Sequence, residues 1–192
     1  MRLSRPSWKV RLLAMLVVVP VVAWFAVRPV RMVAPGLSGV SCPSGPVCVD
    51  DPAKFEEAVL LYTEGVAFVS ARVSPLDGNP KMIFCATQAC ADAFGLGARS
   101  AVTLGTFGTV VGPRAWKPFY VRHELIHHAQ AGRLGTIRLL FEPAWFVEGM
   151  AYALSEDPRT PLGEPFESYR RKFLLWRSAL GEQSVWQASR EP

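Results

Sequence analysis

Apolar residues are spread unevenly along the chain. Residues 12–27 carry no charge; Arg2, Arg5, Lys9 and Arg11 precede them, and Arg28 and Arg31 follow. A run of this length lies between the core of a signal peptide and a spanning helix of about 17–25 residues. Val10 can extend it, and Arg11 can carry its charge up to the headgroups. A cleavable signal needs small residues at −3 and −1 soon after the run. Ala23/Phe25 and Trp24/Ala26 fail that test, and Gly36-Leu37-Ser38 lies far downstream. An uncleaved signal anchor over residues 1–31 is favoured over a cleaved signal. The basic excess before the run places the N-terminus in the cytoplasm and the remainder of the chain outside.

Beyond the anchor the pattern changes. Residues 32–50 are rich in Pro, Gly and Ser and read as a tether. A single domain is expected over residues 51–192. Asp51-Pro52 offers an N-cap followed by a helix-start proline. Phe55, Val59, Tyr62, Val66 and Val69 recur at helical spacing, which predicts an amphipathic helix over 52–71. Turn-forming residues at 74–80 precede a short strand at 82–85 and a short helix at 87–94, stopped by Gly95 and Gly97. Residues 101–104 and 109–111 look like two strands joined through Gly105 and Gly108. A helix begins at Phe119, with Gly132 placed to end it. Another opens at Pro143. No internal repeat or low-complexity block is present.

Charge alters the picture only once it is divided. The chain of 192 residues carries a formal net charge of +5, but six of its 21 Lys and Arg lie in residues 1–31. The exported part keeps 15 basic residues against all 16 acidic ones, a formal charge of −1. The basic balance belongs to the anchor and does not indicate a nucleic-acid surface. All four cysteines, Cys42, Cys48, Cys85 and Cys90, lie beyond the anchor, as suits an oxidising compartment. Their C-x5-C and C-x4-C spacings do not match zinc ribbons. Three pairings are open; the two local ones, Cys42–Cys48 and Cys85–Cys90, are favoured, with four reduced buried thiols as the alternative.

Candidate chemistry concentrates in His123-Glu124-Leu125-Ile126-His127, an H-E-x-x-H match. Residues four apart on a helix share a face, so two imidazoles can grip one zinc ion while Glu124 reaches a water beside it. The chain has only three histidines, all within residues 123–128. His128 is turned 100° from His127 and faces solvent or a neighbour, not the metal. Catalytic zinc usually takes three protein ligands. A metzincin would supply a third histidine, but its required Gly and His positions hold Gln130 and Arg133. Glu148 is the other candidate: a lone acid among Trp145, Phe146, Val147, Met150 and Ala151, it needs a partner if buried, and a cation supplies one. A salt bridge or a solvent-facing position is the alternative. Gly149 would let this helix approach its neighbour closely.

The two motifs together, H-E-L-I-H and then P-A-W-F-V-E-G-M-A, resemble the gluzincin zinc metallopeptidases, in particular the short peptidase MA-like proteins. The resemblance covers roughly residues 81–181. It implies an α+β fold in which a small mixed sheet packs on the H-E-x-x-H helix and a glutamate-ligand helix, its edge strand lining a cleft. It implies His123, His127 and Glu148 as ligands of Zn2+, Glu124 as catalytic base, and Tyr169 as the donor that stabilises the oxyanion. The G-x-M-E-N motif of larger aminopeptidases is absent, so aminopeptidase activity is not implied. Where thermolysin-like enzymes place an acid four residues after the third ligand, this chain has Tyr152, which can orient a histidine or pack in the core; packing is favoured. The expected function is a membrane-anchored zinc peptidase, an endopeptidase, acting on peptide or protein substrates outside the cytoplasmic membrane. The alternative is a non-catalytic, zinc-stabilised envelope scaffold.

Overall fold

The computed structural model describes residues 7–26 and 28–189. Arg2, Arg5 and the last residue of the apolar run, Val27, lie outside them. The helices are α1 (Trp8–Ala26), α2 (Phe55–Arg72), α3 (Gln88–Ala93), α4 (Pro118–Leu134), α5 (Thr136–Leu139), α6 (Ala144–Leu154), α7 (Phe166–Ala179) and α8 (Val185–Ala188). The strands are β1 (Ser41–Ser44), β2 (Val47–Val49), β3 (Met82–Phe84), β4 (Ala101–Leu104) and β5 (Gly108–Val111). They form one five-stranded sheet in the order β1-β2-β3-β5-β4. The three central strands run parallel, and antiparallel β1 and β4 form the edges. The fold is α+β with a small mixed sheet.

Period-two alternation gives the sheet two apolar faces. Val47, Val49, Met82, Phe84 and Val111 point to a core shared with α2, α4, α6 and α7. Cys48, Ile83, Cys85 and Val110 point the other way, to Met32, Val40, Ala91, Phe94 and Leu96. That second face corrects the expected tether. Residues 28–40 form two 3-10 segments, Arg28–Val33 and Pro35–Ser38, that cross the sheet with Met32 and Val40 buried. The sheet itself begins at Ser41, inside the stretch expected to be free chain. The reason is physical: a central strand buried on both faces must be covered on both, and on the second face the short α3 and the residues after it cover only part, leaving the rest to residues 28–40. Arg31 is fixed too, donating to the Ala93 carbonyl at 2.7 Å.

Both local disulfides are present, Cys42–Cys48 and Cys85–Cys90. Asp51 caps the turn before α2 by accepting from the Ala53 N–H at 3.0 Å. α4 continues past Gly132 to Leu134 and ends at Gly135, which takes φ +90°, a conformation glycine adopts without strain. α1 is an isolated helix with its described side chains exposed. At about 1.5 Å per residue it is some 28 Å long. Among the described residues no helix is long and apolar enough to cross a membrane.

Two glycines set how closely α4 and α6 are packed. A Cβ on Gly65 of α2 would lie 2.8 Å from Leu125 Cδ1 and 2.9 Å from Val121 Cγ1 of α4. A Cβ on Gly149 of α6 would overlap the Tyr169 carbonyl of α7 and lie 2.9 Å from Phe173 Cβ. Backbone cannot yield as a flexible side chain can, so Gly149→Ala should cost about 1–3 kcal/mol of overpacking. The expected outcome is a lower thermal unfolding midpoint; an unchanged midpoint would show that α7 is free to move away.

Candidate metal centre

Three elements bring the site together. α4 carries His123, Glu124 and His127; α6 carries Glu148 and Tyr152; β4, the edge strand, carries Thr103. His123 Nε2 and His127 Nε2 are 3.1 Å apart. Glu148 Oε2 lies 3.5 Å from the first and Oε1 lies 3.7 Å from the second. A four-coordinate ion with bonds of ~2.0–2.1 Å holds its donors about 3.3 Å apart, so this trio is spaced to close on one metal ion. Among the described residues no other group of three such side chains is arranged to do so. The sequence placed these three residues together correctly, across the 20 intervening residues between His127 and Glu148.

Hydrogen bonds fix the ligands' chemistry. His127 Nδ1 lies 2.9 Å from Gln130 Oε1, and Gln130 Nε2 donates to the Val147 carbonyl at 3.0 Å. Because the amide NH2 is committed to Val147, the oxygen faces the imidazole and must accept from it. Nδ1 therefore carries the proton, and the Nε2 lone pair is left for a metal. The same glutamine joins α4 to α6 one residue before Glu148. His123 is steadied differently: the Tyr152 ring packs edge-on against it, centroids 4.4 Å apart. Tyr152 also packs on Phe166 at 5.1 Å, in the cavity wall and not in the apolar core.

The two carboxylates sit in different fields. Burial pushes the Glu148 carboxyl up, but the hydrogen bond to His123 and the charges of both imidazoles hold it below its ordinary value. Burial pushes Glu124 up, and the Glu148 charge adds to this; His127 and a hydrogen bond from Thr103 only partly oppose them. That bond runs from Thr103 Oγ1 to Glu124 Oε2 at 2.7 Å. Burial, with the charge of Glu148, raises the Tyr152 phenol to about 12.

These groups face a cavity of about 560 Å³. Ala101, Val102, Thr103 and Leu104 line one side; His123, Glu124, His127, Glu148 and Tyr152 line the other. Tyr120, Arg159, Phe166, Thr136, Leu139 and Leu140 complete the wall. Tyr169 is a correction. It does not line this cavity; its backbone carbonyl packs under Gly149 and its ring sits 6.4 Å from Phe166. Its place in the wall is taken by Tyr120, one turn before His123 on α4. Arg159 Nη1 donates to the Tyr120 hydroxyl oxygen at 3.0 Å, which leaves the phenolic proton free to donate elsewhere. His128 is directed away from the ligands, as its angle on the helix requires, and is buried beside Asp77 in a separate cavity of about 180 Å³.

Sequence reading missed Gln130, Tyr120, Thr103 and Arg159 as site residues. Gln130 and Tyr120 carry a signal, since i+3 from His127 and i−3 from His123 fall on the ligand face of one helix. Thr103 and Arg159 carry none, because only the tertiary fold brings them near. No family model matches the chain, and neither a curated protein nor a solved structure matches it.

Gln130 supplies the first test of the centre. Gln130→Ala removes the group that fixes the His127 tautomer, and partners of this kind are worth about 10–100-fold in metal affinity. Competition against a chromophoric chelator should show that loss with the fold retained. Unchanged affinity would mean that another group orients the imidazole.

Proposed function

We propose that the protein is a zinc-dependent peptidase of gluzincin type, held at the outer side of the cytoplasmic membrane by α1. The observation that carries this reading is Glu124. It is buried in the cavity beside three ligand-type side chains, and it is not itself one of them. A site that only stabilised a fold would need the ligands alone. The donor set His-His-Glu suits zinc, which in catalytic sites takes three protein ligands of this kind and keeps a fourth position open. When bound, zinc supplies Lewis acidity and brings the pKa of water towards ~7.

The protein's own groups then divide the work. β4 has one neighbour, β5, in the sheet, and its other edge faces the cavity wall, so an extended peptide can lie along it and hydrogen-bond to its backbone. His123, His127 and Glu148 hold the metal. Thr103, on that same strand, orients the Glu124 carboxylate. Glu124 accepts a proton from the attacking water as the new C–O bond forms at the scissile carbonyl, and returns it to the amine nitrogen as the C–N bond breaks. Tyr120, its hydroxyl proton free, is the donor we assign to the developing oxyanion. The exported location is supported by the two disulfides and by the basic residues ahead of the apolar run.

Three measurements test this. The purified protein should contain about one zinc ion per chain, with strong loss of zinc in His123→Ala and Glu148→Ala; stoichiometric zinc in both variants would refute the ligand set. Glu124→Gln should keep zinc and fold but lose at least about a hundredfold in turnover of a degenerate peptide library, the usual worth of general acid–base catalysis. A Glu124→Gln strain indistinguishable from wild type, beside a defective His123→Ala strain, would favour the scaffold reading. Tyr120→Phe should lower kcat by about 10²–10³ with little change in KM, as for other oxyanion donors; a change confined to KM would limit Tyr120 to binding.

A further inference from the structure

Five large apolar side chains stand out at one end of the sheet. Leu104 is 40% exposed and Phe107 is 61% exposed, in the turn between β4 and β5. Ile137, Leu140 and Phe141, in and just after α5, are 76%, 78% and 84% exposed. The two groups belong to one surface. A Cβ on Gly105 would lie 2.7 Å from Thr136 Oγ1, so the hairpin turn rests directly on the start of α5. Isolated exposed leucines need no explanation, but a contiguous apolar patch with two phenylalanines at its tips does.

What covers the patch is indicated by the chain that arrives beside it. A Cβ on Gly108, at the foot of the same turn, would lie 3.8 Å from Met32 Sδ and 3.3 Å from the Lys81 carbonyl. Lys81 Nζ in turn donates to the Val33 carbonyl at 3.4 Å. Met32 is six residues beyond the end of α1, within the 3-10 segment Arg28–Val33. The apolar tips are thus at the end of the sheet where α1 joins the domain. α1 presents apolar side chains in every direction, with Leu12, Leu13, Val21, Val18 and Met15 spaced around it and each more than half exposed, so no one face of it is made for a protein partner. The medium that suits α1 suits the tips.

We propose that the turn at Leu104–Phe107 and the segment Ile137–Phe141 dock the domain on the bilayer surface. Phe107, Ile137, Leu140 and Phe141 then enter the boundary between headgroups and acyl chains. Leu104, Gly105, Thr136, Leu139 and Leu140 also line the catalytic cavity, so docking sets one end of its mouth against the lipid. Resting on the peptidase reading above, this defines the substrate class as extended polypeptide lying against the membrane: the membrane-proximal stretch of an anchored protein or a surface-bound peptide.

The test uses the full chain in phosphatidylethanolamine/phosphatidylglycerol vesicles that carry brominated acyl chains. A bimane label is placed through Phe107→Cys, Phe141→Cys or, as a control at the opposite end of the sheet, Glu56→Cys. Labels at 107 and 141 should lose about half or more of their fluorescence, as for groups buried ~5–10 Å past the headgroups, and the label at 56 should not. Leu140→Glu should restore fluorescence at 107 without unfolding the protein, because that side chain is exposed. Equal, low quenching at all three positions would overturn the proposal. So would labels shielded in detergent micelles with a doubled particle mass, which would put a second copy on the patch. In a separate arm, a lipid-tethered peptide should be cut about tenfold or more faster than the same peptide free, an advantage lost with Phe141→Glu, a patch residue outside the cavity. Equal cutting of both peptides would refute the substrate class. Quenching without any cutting would refute the peptidase reading and leave the docking intact.

Discussion

Two carboxylates and two imidazoles converge in a largely buried space, and burying that much polarity costs free energy unless each group has a partner. The rest of the structure depends on meeting this requirement. Glu148 and the two histidines partner one another and are spaced to close on a metal ion. Glu124 cannot join them without becoming a ligand, so its partner comes from outside the helix, the Thr103 hydroxyl of β4. The edge strand is therefore tied to Glu124, and the cavity wall and the polar cluster are held as one unit.

α4 can serve as the backbone of the site because it is fixed on each side by a different interaction. Gly65 lets α2 sit against Val121 and Leu125. Gln130 joins α4 to α6 beside Glu148. Arg122, earlier in the helix, bonds Glu64 of α2 at 3.0 Å and Glu156 beyond α6 at 2.9 Å. α6 is positioned from its far side by the close approach of α7 at Gly149. Ligands on two different helices keep their spacing only if the helices cannot slide, and small residues and buried polar bridges provide that restraint at little cost in volume.

The segment between α1 and the first strand has a second consequence. Because residues 28–40 are packed across the sheet instead of hanging free, the chain enters the domain at a fixed point, the buried Met32. That point lies beside Gly108, at the foot of the turn that carries Phe107.

The sequence by itself determined which three side chains form the candidate metal group. The four-residue spacing of His123 and His127, and a lone Glu148 among apolar neighbours on the next long helix, follow from helical periodicity and the cost of burying an unpaired acid, both of them local rules. The two disulfides were legible for the same reason, since each closes a loop of a few residues. Tertiary structure alone decided the rest. Tyr169 shares its helix with residues that pack on α6, and only the meeting of α6 and α7 shows that its backbone, not its hydroxyl, is turned to that interface. Thr103 and Arg159 reach the cavity from elements other than the ligand helix, and no spacing along one chain encodes such a meeting; Tyr120 shares α4 with the histidines, but only the fold shows that it lines the cavity. The expected tether failed likewise: its Pro, Gly and Ser fit loose chain and a tight strap equally well, and only the part of the sheet's second face that α3 leaves open decides which it becomes.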